Sequence, residues 1–314
     1  MATKIPVGDT ISRSFAFGFR NYLPLLGIIW LPMVAMLAIV WFGYMPYFVS
    51  LTHAIELQAQ NPQIMPMAGM PNMGVMMLLQ LAILFCYVWM GAGATKLALG
   101  LRSATSFVYL PGKDEVTLAI TYVVLFIIWY IAMIVFAIVC AIVVGAVAIA
   151  LGVSGANLDP STNMGIAAAA VVLGIAFVVA YFYGIIRLMF LIQPAVIMSK
   201  KIDVMGSWNL MKGNVLRAFV IVLVMVLPLI VLEIVLFAVA GGAALSQLLH
   251  QDFHAMKPDQ AVAMFTGLWL HVLPFAVIAG FLLGPLAMGF MQAPAALAYR
   301  ALVPPKPPEG ASAA

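Results

Sequence analysis

The chain has 314 residues, 66% of them hydrophobic and 8% charged, with a net charge of +4 and a mean hydropathy of +1.16. Soluble domains carry about 25% charged residues, and no aqueous fold could cover this much apolar surface, so the solvent must be lipid. The mild basicity does not point to nucleic acid, because Lys and Arg are scattered around apolar segments and form no patch.

Residues 1–21 read as a cytoplasmic amphipathic helix and not as a cleavable signal, since the following apolar run is long and lacks a small-residue cleavage pattern. Asp9 is placed to cap it, and Ile11, Phe15, Phe19 and Tyr22 recur at helical spacing. Such a helix is expected to lie on the bilayer surface, with Arg13 and Arg20 near anionic headgroups.

Residues 22–300 form the membrane domain. A helix needs about 20 apolar residues to cross the ~30 Å hydrocarbon core, and six stretches qualify: 22–50, 73–100, 117–152, 165–196, 216–246 and 264–299. Pro24, Pro32 and Pro46 are expected to bend the first span, Pro228 the fifth, and Pro274 and Pro285 the sixth. A second interfacial helix precedes span five, capped by Asp203, with Met205, Trp208, Met211 and Val215 on one face and Lys212 beside them. Residues 301–314, with Pro304-Pro305-Lys306-Pro307-Pro308, read as a disordered cytoplasmic tail. The fold class is therefore all-α: a polytopic transmembrane helical bundle of about six spans, with amphipathic helices before spans one and five.

Thirteen of the fourteen Lys and Arg fall before span one, between spans two and three, around the junction of spans four and five, or after span six, leaving Lys257 alone on the other side. The positive-inside rule then puts both termini in the cytoplasm. Ser14-Phe15-Ala16-Phe17 followed by Asn21 also aligns with Ser207-Trp208-Asn209-Leu210 followed by Asn214. The shift between them covers four spans, so the match reads as a recurring entry motif and not as duplicated halves.

The stretch Arg187, Pro194-Ala195 and Ser207-Trp208-Asn209-Leu210-Met211-Lys212-Gly213-Asn214 resembles a known group. So does the opening Ile5-Pro6-Val7-Gly8-Asp9 with Phe15 to Asn21. Both resemble the membrane domain of glycerophosphoryl diester phosphodiesterases and related six-span bacterial inner-membrane families of unknown function. The resemblance implies the fold and a bacterial inner-membrane location. It implies no activity, because the phosphodiesterase reaction belongs to a separate soluble domain in that family, and no catalytic residue carries over.

Few residues carry chemistry. Glu233 sits inside span five, where a carboxylate is expensive, and reads either as a polar site facing the bundle or as a hydrogen-bonded lock between helices. Arg187 is its candidate partner, although about 10 Å of depth separates them; alone, it would snorkel or cap carbonyls near Pro194. Met65, Met67, Met70, Met73, Met76 and Met77, with His250 and His254 on the same outer side, would suit a soft metal, or simply fill apolar loops. Gly91-Ala92-Gly93-Ala94-Thr95-Lys96 lacks the spacing of a phosphate loop and reads as a close-packing segment, as do Gly280, Gly284 and Gly289. Cys86 and Cys140 lie in apolar runs and read as core residues.

No nucleophile–base set or carboxylate pair falls at a common depth, so no enzyme activity and no cofactor is expected. Three function classes follow. The first is a membrane-organising or partner-binding protein, its partner another protein or a second copy. The second is a transporter or lipid-handling protein using Glu233 and Arg187. The third is an outer-face binder of soft metal.

Overall fold

A computed structural model describes residues 4–47, 49–50, 72–103, 108–150, 160–249 and 258–303. These residues are helices and their connections, with no strand among them. Six helical segments are long and apolar enough to cross a membrane: Tyr22–Tyr47, Met73–Ala98, Lys113–Val143, Val171–Ser199, Val215–Leu236 and Leu273–Leu302. The chain is thus a multi-pass, all-α membrane protein of six spans.

In chain order, α1 is Val7–Arg20 and α2 is Tyr22–Ala38, which passes into a π-helical stretch, Ile39–Tyr44. Helix α3 is Met73–Ala98 and α4 is Lys113–Ala150. The fourth span is two helices, α5 Pro160–Met189 and α6 Ile192–Ser199. The short α7, Val204–Leu210, leads to α8, Val215–Leu249, and α9, Pro258–Leu302. At about 1.5 Å per residue the 45 residues of α9 exceed the ~30 Å core about twofold. Long α9 is the hub, touching α1, α2, α3, α6 and α8.

Several local expectations change. Pro6 occupies the N-cap of α1 without a side-chain bond, and Asp9 instead pairs with Arg13 at 2.8 Å in the first turn. The most buried residues of α1 are the small Thr10, Ser14 and Gly18, while Ile11 and Phe15 are only partly buried. Small residues let backbones approach: a Cβ on Gly289 of α9 would stand 2.9 Å from the Gly18 Cα. Asp203 does cap α7, accepting from the Gly206 amide at 2.8 Å. In span one the irregular turn is the π-helical stretch, whereas Pro24 and Pro32 lie within regular helix.

The break in the fourth span has a clear cause. In a continuous helix the Leu191 amide would donate to the Arg187 carbonyl. Here the Ser207 hydroxyl stands between them, accepting from Leu191 N at 3.3 Å and donating to Arg187 O at 3.2 Å. Pro194 has no amide hydrogen to offer the Phe190 carbonyl, so the rung three residues further on is missing as well. The Arg187 guanidinium closes the clasp, donating to the Trp208 carbonyl at 3.2 Å and lying 3.8 Å over its ring. Arg187 therefore caps α7 and not the carbonyls near Pro194.

Packing is uneven along the spans. Among the described residues, buried side chains lie toward the end that carries Ile5 and Leu302: Leu25 to Pro32, Cys86 to Ala98, Glu115 to Leu125, Leu191 to Ile197, Ala218 to Met225 and Pro285 to Ala298. Toward the other end the described side chains meet mainly in pairs of neighbouring spans. Phe136 of α4 stacks on Phe177 of α5 at 3.9 Å, and Trp129 meets Tyr181 at 5.1 Å. An apolar helix face left uncovered in this way is compatible with lipid as solvent and not with water.

Ser207→Ala should lower stability by about 1–3 kcal/mol, because it strands the Leu191 amide and the Arg187 carbonyl. Thermal unfolding in mild detergent checks this. An unchanged midpoint would show that the helix ladder closes by itself when the hydroxyl is gone.

Candidate functional site

Two polar constructions occupy the packed end. The first ties α3 to α4. Lys96, in the last turn of α3, reaches Asp114 at 2.8 Å and Glu115 at 2.7 Å. Glu115 is fully buried, and its other oxygen accepts from the Gly112 amide at 2.6 Å. The Tyr109 hydroxyl donates to the same carboxylate. Burial pushes the Tyr109 phenol well above its ordinary range, the Glu115 bond and charge adding to it, so the hydroxyl keeps its proton and stays a donor. The ring lies 4.5 Å beneath the Arg102 guanidinium, and its backbone carbonyl accepts from the Trp89 indole at 3.1 Å. Lys96 holds both carboxylates at once, so the cluster reads as a lock on the α3–α4 connection.

The second construction lies between the spans. The buried Thr95 hydroxyl of α3 faces Gln193 Oε1 of α6 at 2.9 Å and Gln292 Oε1 of α9 at 3.3 Å. The Gln193 amide also donates to the Tyr122 phenol of α4 at 3.0 Å. Gly91 makes room for Gln193, whose Nε2 would stand 2.8 Å from a Cβ at that position. Four spans thus meet at two uncharged amides.

Against this polar seam sits a half-open cavity of about 280 Å³ between α5, α6, α8 and α9. Its walls are apolar, among them Ile185, Met189, Val222, Met225 and Phe290, and its polar edge is Tyr122, Gln193 and Gln292. No lining residue is charged. The break after α5 creates this geometry, because it turns α6 into a separate element carrying Gln193.

The residues singled out from sequence are placed as follows. Glu233 lies on α8, exposed, seven residues beyond Val226 of the cavity wall, and has no hydrogen bond or ion pair among the described residues. Arg187 is engaged by Trp208 and by Tyr183, whose hydroxyl it meets at 3.0 Å. The two are not brought together. Met65, Met67, Met70, His250 and His254 lie outside the described residues, while Met73 opens α3 and is exposed. No cluster of three His, Cys, Asp or Glu occurs among the described residues. Arg13 and Arg20 are exposed on α1 and Lys212 beside α7, while Trp208 is half-buried beneath Arg187. Cys86 is buried and Cys140 half-buried, both as free thiols.

The glycines fulfil the packing expectation: Gly93 meets Ile28 and Tyr109, Gly280 meets Met33, and Gly284 meets Ile29. Sequence reasoning passed over Gln193, Gln292, Thr95 and Glu115. The available signals were two amides within apolar runs, and an acidic pair opening a span opposite the lysine that closes the one before it.

Fold and site together define a six-span membrane protein with an uncharged cavity at its packed end. No family model matches the chain, and no curated protein or solved structure matches it either.

Lys96→Met should destabilise the protein by about 3–5 kcal/mol, since Glu115 remains buried without its cation. The exposed Lys113→Met should leave the unfolding midpoint unchanged. Circular dichroism melts of the two variants in detergent decide it, and equal midpoints would refute the lock.

Proposed function

We propose that the protein binds a membrane-borne amphiphile in the cavity between α5, α6, α8 and α9 and acts in lipid handling without covalent chemistry. The observation that carries this reading is a sizeable apolar cavity ending on uncharged hydrogen-bonding groups, within spans that lipid surrounds. A volume of 280 Å³ is about twice the 150 Å³ apolar cavity that accepts one benzene ring. It suits one acyl segment with its linkage group and is too small for a whole two-chain phospholipid.

The bacterial inner membrane is the proposed location, supported by the family resemblance of the Arg187–Asn214 stretch. A cytoplasmic placement of both termini is supported by the concentration of Lys and Arg at that end. The same end supports a second reading, a membrane-organising or partner-binding protein. There α1 is held to the bundle, the Ile5 amide donating to Asn214 at 3.0 Å and the Ile5 carbonyl accepting from Arg217 at 3.2 Å. Exposed basic side chains such as Arg13 and Arg20 would meet anionic headgroups or a partner there. Glu233 and Arg187 are not brought together, and of the soft-metal residues Met65, Met67, Met70, His250 and His254 lie outside the described residues.

Native mass spectrometry of the protein released from gently solubilised membranes tests the cavity reading. Wild type should retain one lipid-sized adduct. Val222→Trp and Val226→Trp, which fill the cavity, should lose it, and Glu233→Gln should keep it. An adduct retained equally in both tryptophan variants would leave the partner-binding reading in place.

A further inference from the structure

The hydrogen-bond arithmetic at the cavity edge narrows the class of amphiphile, given the binding role proposed above. Thr95 has one hydroxyl hydrogen, and two amide oxygens face it at 2.9 and 3.3 Å. Gln193 takes the shorter contact, and its Nε2 is committed to Tyr122. The Gln292 carbonyl therefore competes for a hydrogen already given, and its Nε2 has no protein acceptor among the described residues. Turning the Gln292 amide over lets Nε2 donate to Thr95 and leaves Oε1 without a donor instead. In either orientation at least half of this amide is unpaired beside the cavity that Gln292 lines.

Tyr122 adds a second open valence. Its oxygen accepts from Gln193, while its own hydrogen goes to no protein group among the described residues. Both groups are half-buried and face apolar walls, where a polar group without a partner is unfavourable, so the edge favours a ligand that supplies both a donor and an acceptor, or at least one acceptor. It offers nothing to a charge. No lining residue is ionic, Lys96 is held by Asp114 and Glu115, and Arg187 is held by Trp208 and Tyr183. A phosphate or quaternary ammonium entering here would lose its hydration without gaining a counter-charge.

We propose that the cavity selects amphiphiles with an uncharged, hydrogen-bonding head, a hydroxyl or ester linkage seated against Gln292 and Tyr122, over amphiphiles with a charged head. The probes are a monoacylglycerol, an alkyl phosphate and an alkyltrimethylammonium of equal chain length, titrated below their micelle-forming concentrations into the delipidated protein in nanodiscs. The monoacylglycerol should bind at least about tenfold more tightly than either charged probe, a difference of about 1.4 kcal/mol.

Gln292→Leu should reduce that gap to about threefold or less. Tyr122→Phe, which removes only a hydroxyl, should do the same and covers the case in which Gln292→Leu fails to fold. A charged probe binding as tightly as the monoacylglycerol would overturn the selectivity and leave the cavity reading standing, as long as Val222→Trp abolishes binding of both. A tenfold gap surviving in Tyr122→Phe and Gln292→Leu would overturn the assignment to these residues. Binding of all three probes that is unaltered by Val222→Trp would overturn the cavity reading as well.

Discussion

A single hydroxyl inserted into a helix ladder organises much of this protein. Within a membrane every backbone amide and carbonyl must find its partner inside the protein, because the hydrocarbon offers none. The fourth span interrupts its own ladder at Phe190–Leu191 and meets that demand by borrowing Ser207 from α7. Proline alone does not explain the interruption, since α9 runs through Pro274, Pro285 and Pro294 without ending. What differs is the waiting partner. Once the ladder opens, α6 is free to take its own direction, Gln193 reaches Thr95 and Tyr122, and space remains beside Phe190.

The same demand explains where the bundle is tight. Apolar helices in lipid gain no hydrophobic free energy by meeting one another, so association depends on close contacts between small residues and on hydrogen bonds across helices. Both are concentrated, among the described residues, at the end that carries Ile5 and Leu302. Thr10, Ser14, Thr95, Glu115, Thr121, Gln193, Ser207 and Asn214 are the buried polar residues described, and all lie there. Gly18 against Gly289 and Gly93 against Ile28 lie there as well. Toward the other end the described contacts, such as Phe136 with Phe177 and Gly43 with Leu79, join neighbouring spans without assembling the whole.

Hydropathy made the six spans legible because a run of about 20 apolar residues leaves few alternatives. The expected spans agree with the helices to within a few residues at most ends, for example 73–100 against Met73–Ala98. The break at Phe190–Leu191 was hidden, since both residues are apolar and its cause lies 16 positions away in Ser207. The recurring serines illustrate the same limit. Ser14 and Ser207 occupy matching places in sequence and are both fully buried, yet Ser14 bonds its own helix at Thr10 while Ser207 opens another. Sequence also drew attention to charged residues before uncharged ones. Glu233 is conspicuous because a charge in an apolar run is rare, but the structure leaves it exposed on α8. Gln193 and Gln292 carry no charge and attract no notice, yet they form the seam.

That contrast bears on what the protein can recognise. The charges nearest the seam are engaged within the protein, Lys96 by two carboxylates and Arg187 by the Trp208 ring and carbonyl and the Tyr183 hydroxyl. Neutral groups are left over, because an amide has more hydrogen-bonding positions than the helices around it can fill. In water such a surplus would go to solvent and carry no information. In a cavity walled by Ile185, Val222 and Phe290, the proposed binding role would use it to separate a molecule that brings a hydroxyl or an ester from one that brings a phosphate. Discrimination of this kind needs no catalytic group and no metal, only two polar side chains held in place by a helix that does not continue.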